Sequence, residues 1–228
     1  MNDFNLSNIK AVAFDIDGTL YRAWKLNFRM SLYFLPHCFF FLKYGLVRTT
    51  MRKTPRVPDF METQGEYMAK RLHCSTAEAK EKLNKIVYKG LANFFTNIKP
   101  CKGAVEFVRN LKDAGYKIGI LSDFPPEQKG DIWGIRDICD VVLGAEDTGA
   151  LKPSAVPFQE LSEKLGVTPE EILFVGNSHK YDVMGSKGAG MKAAWIITPF
   201  QKFFGKKSEN AEITFCHYSE LNKIFFNK

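Results

Sequence analysis

Two aspartates, Asp15 and Asp17, stand two residues apart in FDIDGTLY (residues 14–21), at the end of the apolar run IKAVAFD. On a strand, side chains at that spacing point the same way. Two carboxylates held side by side repel, so they need a cation, or one of them must keep a proton. Both outcomes are useful. One aspartate can bind Mg2+ and attack as a nucleophile while the other exchanges protons. A solvated turn is the plain alternative, because acids and glycines are common after strands.

Other polar residues in the chain weigh against that alternative. Ser122 ends the run YKIGILS with a hydroxyl suited to a phosphate oxygen, and Asp123 follows it. Lys152, in TGALKP, has the charge to neutralise a phosphoryl group. Asp182 closes GNSHKYD and is able to complete an oxygen-only metal site. Singly, such residues are surface charges, turn hydroxyls and helix caps. Together they occur in order after successive apolar runs.

Those runs predict the elements that position them. Residues 9–15, 116–122, 140–144, 172–176, 192–197 and 211–216 read as six strands, mostly short, continuous and apolar. Helical spacing over 103–114 and 154–165 ends each time at a glycine, Gly115 or Gly166. TPEE (168–171) has the pattern of a helix start, residues 183–190 read as a short helix, and a last helix closes the chain. Strands alternating with helices predict a parallel sheet covered on both faces, an α/β fold. Ligands of such sheets bind beyond the carboxyl ends of the strands, where Asp15, Asp17, Ser122, Asp123, Glu146, Asp147 and the 177–182 segment would lie. Residues 21–100 break the alternation with helical patterns only.

At these residues the chain resembles the haloacid dehalogenase-like hydrolases. DIDGTL, ILSD, KP and GNSHKYD correspond to the family's four motifs, and the resemblance covers residues 9–20 and about 101–198. It implies a Rossmann-like core from residues 1–20 and 101–228, with 21–100 as an inserted helical cap of the C1 type. It further implies Asp15 as the nucleophile, Asp17 as acid and base, and Ser122 and Lys152 on the phosphoryl oxygens, with Lys152 also steadying Asp15. Mg2+ would be held by Asp15, the Asp17 carbonyl and a residue of the fourth motif, Asn177 or Asp182. Asp17 favours phosphate ester hydrolysis over dehalogenation, since halide leaves without a proton; phosphomutases keep both aspartates. Two departures stand out. Asp123 follows the motif hydroxyl where Asn is frequent, and an acid there repels phosphate unless it is turned away or faces the metal. Asn177 stands where the family commonly has Asp.

The totals agree with a phosphorylated small-molecule substrate. The 228 residues carry a formal charge of +7, which favours anionic partners without choosing among them. The charge is concentrated in the insertion. Between Gly18 and Pro58 there is no acid, but there are eight Lys or Arg residues and nine aromatics. One reading packs the apolar residues between cap helices with the basic ones in water; the other binds something anionic and greasy, such as a membrane surface, through residues 22–56. The packing reading is preferred. Met30–Leu42, the longest mostly apolar uncharged stretch, is short for a bilayer span and holds Pro36 and His37. No motif supports nucleic-acid binding. His37, His73 and His217 are scattered, His179 reads as an exposed loop residue, and FFGKKSEN (203–210) as a solvated loop. Five unpaired-looking cysteines and no secretory leader predict a cytoplasmic protein with free thiols.

Overall fold

The computed structural model describes residues 6–95 and 98–226. Six strands form one parallel sheet: β1 (Ala11–Phe14), β2 (Lys117–Ser122), β3 (Val141–Gly144), β4 (Ile172–Gly176), β5 (Lys192–Ile196) and β6 (Ile213–Phe215), in the order β3-β2-β1-β4-β5-β6. β1 is central and wholly buried, which suits its unbroken apolar run. It pairs with β2 on one side and β4 on the other, with Phe14 opposite Ile120 and Val175. One more ladder bond, from Asp15 N–H to Val175 O at 3.0 Å, holds Asp15 at the sheet's edge of regularity. The chain reverses its direction of growth across the sheet at β1, so the C-terminal end of β1 is the switch point where ligand sites form.

Both faces are covered. Phe14 meets Phe107 of α5 (Ala104–Asp113) edge-on, and Phe107 in turn packs against Tyr218 and Phe225 of α9 (Tyr218–Phe226). On the opposite face Phe174 meets Phe158 of α6 (Ala155–Leu165) at 5.0 Å. Two sequence expectations shift. The capping box at Thr168 and Glu171 is formed, but it closes a three-residue 3-10 turn rather than a helix. The apolar residues that follow gain more by entering β4 between two neighbours than a helix of one turn can gain alone. The predicted short helix begins earlier, with a π-helical turn over His179–Val183 leading into α7 (Met184–Gly188). A further short helix, α8 (Pro199–Phe203), is capped by Thr198 and Gln201, and its last residue overlaps the expected loop.

Between β1 and β2 the described chain is helical: α1 (Ala23–Met51), α2 (Phe60–Leu72), α3 (Thr76–Leu83), a π-helical turn over Asn84–Lys89, and α4 (Gly90–Phe95). It leaves and re-enters the core at adjacent points, where Cys101 N–H donates to Leu20 O at 2.7 Å. Gly90 permits the close approach of α1 and α4, because a Cβ there would lie 2.1 Å from the Tyr33 hydroxyl oxygen. α1 runs for 29 residues, through Pro36 and past four cations. The charges hid its length in sequence: Lys25, Arg29, Lys43 and Arg48 interrupt the apolar run without interrupting the helix.

α1 is pinned to the core through Arg48. Its guanidinium, buried among Tyr44, Phe60 and Phe124, pairs with Glu146 and donates to Asp123 O at 3.1 Å. Glu146 also accepts from the Tyr88 hydroxyl at 2.7 Å. Burial pushes the Glu146 carboxyl up against the opposing pull of Arg48. Removing one partner strands a buried charge, at a cost of about 3 kcal/mol or more. Arg48→Met should therefore lower the urea midpoint sharply, and adding Glu146→Leu should recover a large part of the loss.

Candidate active site

The tight turn after β1 brings the two aspartates to the sheet end. Gly18 has φ +92°, and a Cβ there would lie 2.3 Å from the Asn177 amide nitrogen, so both conformation and space require glycine. Thr19 donates from Oγ1 to Asp15 Oδ2 at 2.9 Å and lies 3.4 Å from Asn177 Oδ1. Asn177 is itself anchored through its carbonyl, which accepts from Trp195 Nε1 at 2.9 Å. Asn177 thus abuts the Asp15–Gly18 turn.

Lys152 occupies the centre. Its Nζ donates to Asp15 Oδ1 at 2.8 Å, to Asp182 Oδ1 at 2.7 Å and to Leu121 O at 3.4 Å. All three groups are buried. Three donors meet three acceptors, which leaves the ammonium fully satisfied. The contact with Asp15 has the geometry a steadying role would need; a grip on phosphoryl oxygens would require one of these bonds to be released. Asp182 is held on its other oxygen by Ser178 N–H at 2.8 Å and lies on the far side of Lys152.

Burial is the largest influence on Asp15 and pushes its carboxyl up to about 7; Lys152 pulls it down, while Asp182 and Asp17 push it further up. Burial opposes the Lys152 charge as well, but Asp15 and Asp182 outweigh it and hold the ammonium above its ordinary range. The physical content is simple: two buried carboxylates share one cation.

Asp17 is bound by groups the sequence reading did not single out. Tyr21 donates its hydroxyl to Asp17 Oδ1, and Lys129 Nζ donates to the same oxygen at 2.7 Å. Ser122 Oγ lies 3.5 Å from Oδ2, a weak contact, and accepts from Phe124 N–H at 3.3 Å. Lys129 is buried and sits 3.2 Å from the Phe95 ring centroid; burial pulls its ammonium down and Asp17 counteracts this. No motif spacing marks Lys129, because the turn over Pro126–Lys129 delivers it from beyond the strand end. Tyr21, Phe95, Lys129 and Trp133 line a cavity of about 250 Å3 next to Asp17.

Asp123 is turned toward the insertion. Arg52 pairs with its Oδ2 at 2.6 Å and stacks over Tyr181 at 4.0 Å, and Asp123 Oδ1 accepts from Lys152 N–H at 3.2 Å. Burial alone would raise this carboxyl, but Lys152, Arg52 and Arg48 together hold it below the usual range. The repulsion that an acid at this position threatens is thereby absorbed by Arg52. Glu146 pairs with Arg48, away from the aspartate pair. His179 is not simply exposed: its Nε2 lies 2.7 Å from Ser208 Oγ, and its ring meets Trp195 edge-on.

A parallel α/β sheet with paired aspartates and a lysine at its switch point defines a class of hydrolase. The chain belongs to the haloacid dehalogenase-like hydrolases, whose family profile matches residues 9–190. It is 27% identical over 201 residues to a glyceraldehyde 3-phosphate phosphatase of Methanothermobacter thermautotrophicus, covering 82% of this chain and 85% of that protein. It is 33% identical over 103 residues to the pyrophosphatase PpaX of Halalkalibacterium halodurans, a match spanning 43% of this chain and 47% of that protein. Among solved structures, a HAD phosphatase from Thermococcus onnurineus superposes with a TM-score of 0.63 at 27% identity, covering 96% of this chain and 99% of that one. An L-2-haloacid dehalogenase from Xanthobacter autotrophicus shares the fold, at TM-score 0.64, 21% identity and coverage of 96% and 100%.

The Asp15 shift has a measurable consequence. A carboxyl raised from 3.8 to about 7 binds its proton more tightly in the folded than in the unfolded chain. Stability of the metal-free protein therefore falls as pH rises through that window. In EDTA at about pH 8, Asp15→Asn should melt above the wild type, and the gap should close toward about pH 4. Thermal melts across pH check this.

Proposed function

We propose that the protein hydrolyses small phosphomonoesters through a covalent intermediate on Asp15. The observation that carries this reading is the Asp15–Lys152–Asp182 arrangement beside Asp17 at the switch point of the sheet. Asp15 would attack phosphorus and displace the alcohol oxygen, to which Asp17 gives a proton; Asp17 then takes a proton from the water that cleaves the aspartyl-phosphate. Tyr21 and Lys129 hold the Asp17 carboxyl in place between these steps. Ser122 is the hydroxyl nearest Asp17 for a phosphoryl oxygen, and the cavity bounded by Tyr21, Lys129 and Trp133 would take the organic part of the ester. Phosphoryl transfer asks mainly for positioning and charge stabilisation, which these groups provide. Both relatives favour phosphoryl hydrolysis over dehalogenation, and the glyceraldehyde 3-phosphate phosphatase together with the second aspartate favours an ester substrate.

A divalent cation fits the donor chemistry. Among the described residues no cluster of three His, Cys, Asp or Glu side chains forms a ready metal site. The oxygen donors are mixed: the Asp15 carboxylate, the Asp17 carbonyl and the Asn177 amide oxygen, all from the turn after β1 or its neighbour. Such hard oxygens suit Mg2+, and the surplus negative charge around Asp15 calls for a cation. Bound there, Mg2+ would offset repulsion between carboxylates and the incoming phosphate. Asp182 adds its charge through Lys152 and keeps Ser178 in position. The helical insertion acts as the cap, and Arg52 carries it down onto Asp123 beside the site. Five free cysteines agree with a reducing, cytoplasmic setting.

With a generic aryl phosphate and Mg2+, Asp15→Asn should lose activity by about 10^3-fold or more. Tyr21→Phe should lower kcat by about tenfold with the Mg2+ requirement unchanged. Asn177→Asp should keep activity and tighten Mg2+, read independently as a larger rise in melting temperature per unit of added metal. Wild type and Asp15→Asn equally inactive across a broad phosphate panel would remove the proposal.

A further inference from the structure

α1 turns a continuous apolar ridge to solvent. Trp24, Phe28, Leu32, Leu35, Phe39, Leu42 and Leu46 are each 53–78% exposed. At 100° per residue they fall within an arc of about 80°, and at 1.5 Å per residue the ridge runs for about 33 Å. By sequence, the apolar residues of this segment are expected to pack cap helices on one another. The structure divides them: Leu26, Met30, Phe40, Tyr44, Val47 and Met51 supply the packed face, and a second apolar set is left outside. A soluble chain rarely leaves so long a run uncovered without an occupant.

Charge indicates the occupant. Lys25, Arg29 and Lys43 lie along one edge of the ridge and make no ion pair among the described residues. No acid occurs between Gly18 and Pro58. A second exposed cluster repeats the chemistry on another element: Phe200, Phe203 and Phe204 on and after α8 are 68–85% exposed, with Lys206 and Lys207 following. Arg22 ties the two together, donating to Ile197 O at 3.1 Å and Cys216 O at 2.6 Å, so α8 sits beside the start of α1. Two-fold pairing with a second copy would set the ridge's cations against the same cations, with no acid in that segment to answer them. An aromatic-rich apolar face edged only by positive charge matches the headgroup boundary of an anionic bilayer.

We propose that this protein docks on anionic membrane surfaces through the exposed ridge of α1, assisted by the Phe200–Phe204 cluster. The helix lies along the surface and does not cross it. Its length and apolarity would suffice for a span, but its other face is packed on the insertion and Arg48 is locked on the core.

The test is flotation of the purified full chain with vesicles of phosphatidylcholine alone and with about 30% phosphatidylglycerol. Retention on the anionic vesicles at low salt, falling at least about tenfold toward about 0.5 M salt, is expected. Leu32→Ser/Phe39→Ser and Phe200→Ser/Phe203→Ser should each weaken retention by about tenfold or more. All four positions are exposed, so melting temperature and hydrolysis of a soluble aryl phosphate should match the wild type. Absence of retention at low salt, equal retention on neutral vesicles, or ridge variants that float like the wild type would overturn the proposal. So would a dimer in sedimentation velocity that Leu32→Ser/Phe39→Ser dissolves without any vesicle retention, which would give the ridge to a second copy. Loss of catalysis in Asp15→Asn leaves flotation unchanged, so the two proposals fail separately.

Discussion

One ammonium between two buried carboxylates organises this protein. Lys152 reaches Asp15 from one side and Asp182 from the other, and spends its third donor on Leu121 O. These residues come from β1, from the turn after β3 and from the turn after β4, so the ion cluster ties the strand ends on both sides of the switch point. Its charges do not balance. Burial drives the Asp15 carboxyl up to about 7, the neighbouring carboxylates Asp182 and Asp17 add to it against the pull of Lys152, and the surplus negative charge makes the site receptive to another cation. The arrangement that makes the metal-free site electrostatically uncomfortable is the one that suits it to an anionic substrate with its counterion.

The insertion is attached by the same means at larger scale. Arg48 and Arg52, one helical turn apart near the end of α1, reach Glu146 and Asp123 of the core. Asp123 would be a hazard to a phosphate if left free. Paired with Arg52 and bound to Lys152 N–H, it becomes the link between the insertion and the aspartate cluster. The basic charge of α1 is therefore not uniform in role. Its C-terminal cations are consumed inside the protein, while Lys25, Arg29 and Lys43 stay at the edge of the apolar ridge. Sequence composition cannot separate these five cations into two groups, because the separation depends on which face of the helix meets the core.

Much of the fold was legible from local pattern. Most of the six runs are continuous and apolar and specify buried parallel strands, because a strand covered on both faces has no polar side to alternate with; the edge strand β6 alternates instead, with Thr214 partly exposed. Asp15, Asp17 and Ser122 stand out as candidates because they lie at or just past the end of such a run, whereas Lys152 and Asp182 lie further on and stand out through the motifs they belong to. What local pattern misjudged were elements that compete with tertiary pairing. The Thr168 capping box heads a single turn, since the residues after it are claimed by the sheet. α1 runs on through Pro36 and past four cations, so the uncharged stretch Met30–Leu42 is only part of one helix.

The sequence by itself determined the sheet, the order of the chemical groups along it and the helical character of the insertion, since hydrophobic period and strand-end chemistry are short-range properties. Tertiary structure alone decided the partners. Lys129 and Tyr21 on Asp17, Arg52 on Asp123, and Asn177 against Gly18 join residues from separate elements, at distances no spacing rule encodes. It also decided which half of α1's apolar residues is core and which is surface. A helix with apolar groups on most of its circumference has no intrinsic inside; the positions of α2, α4 and the core beneath them select one.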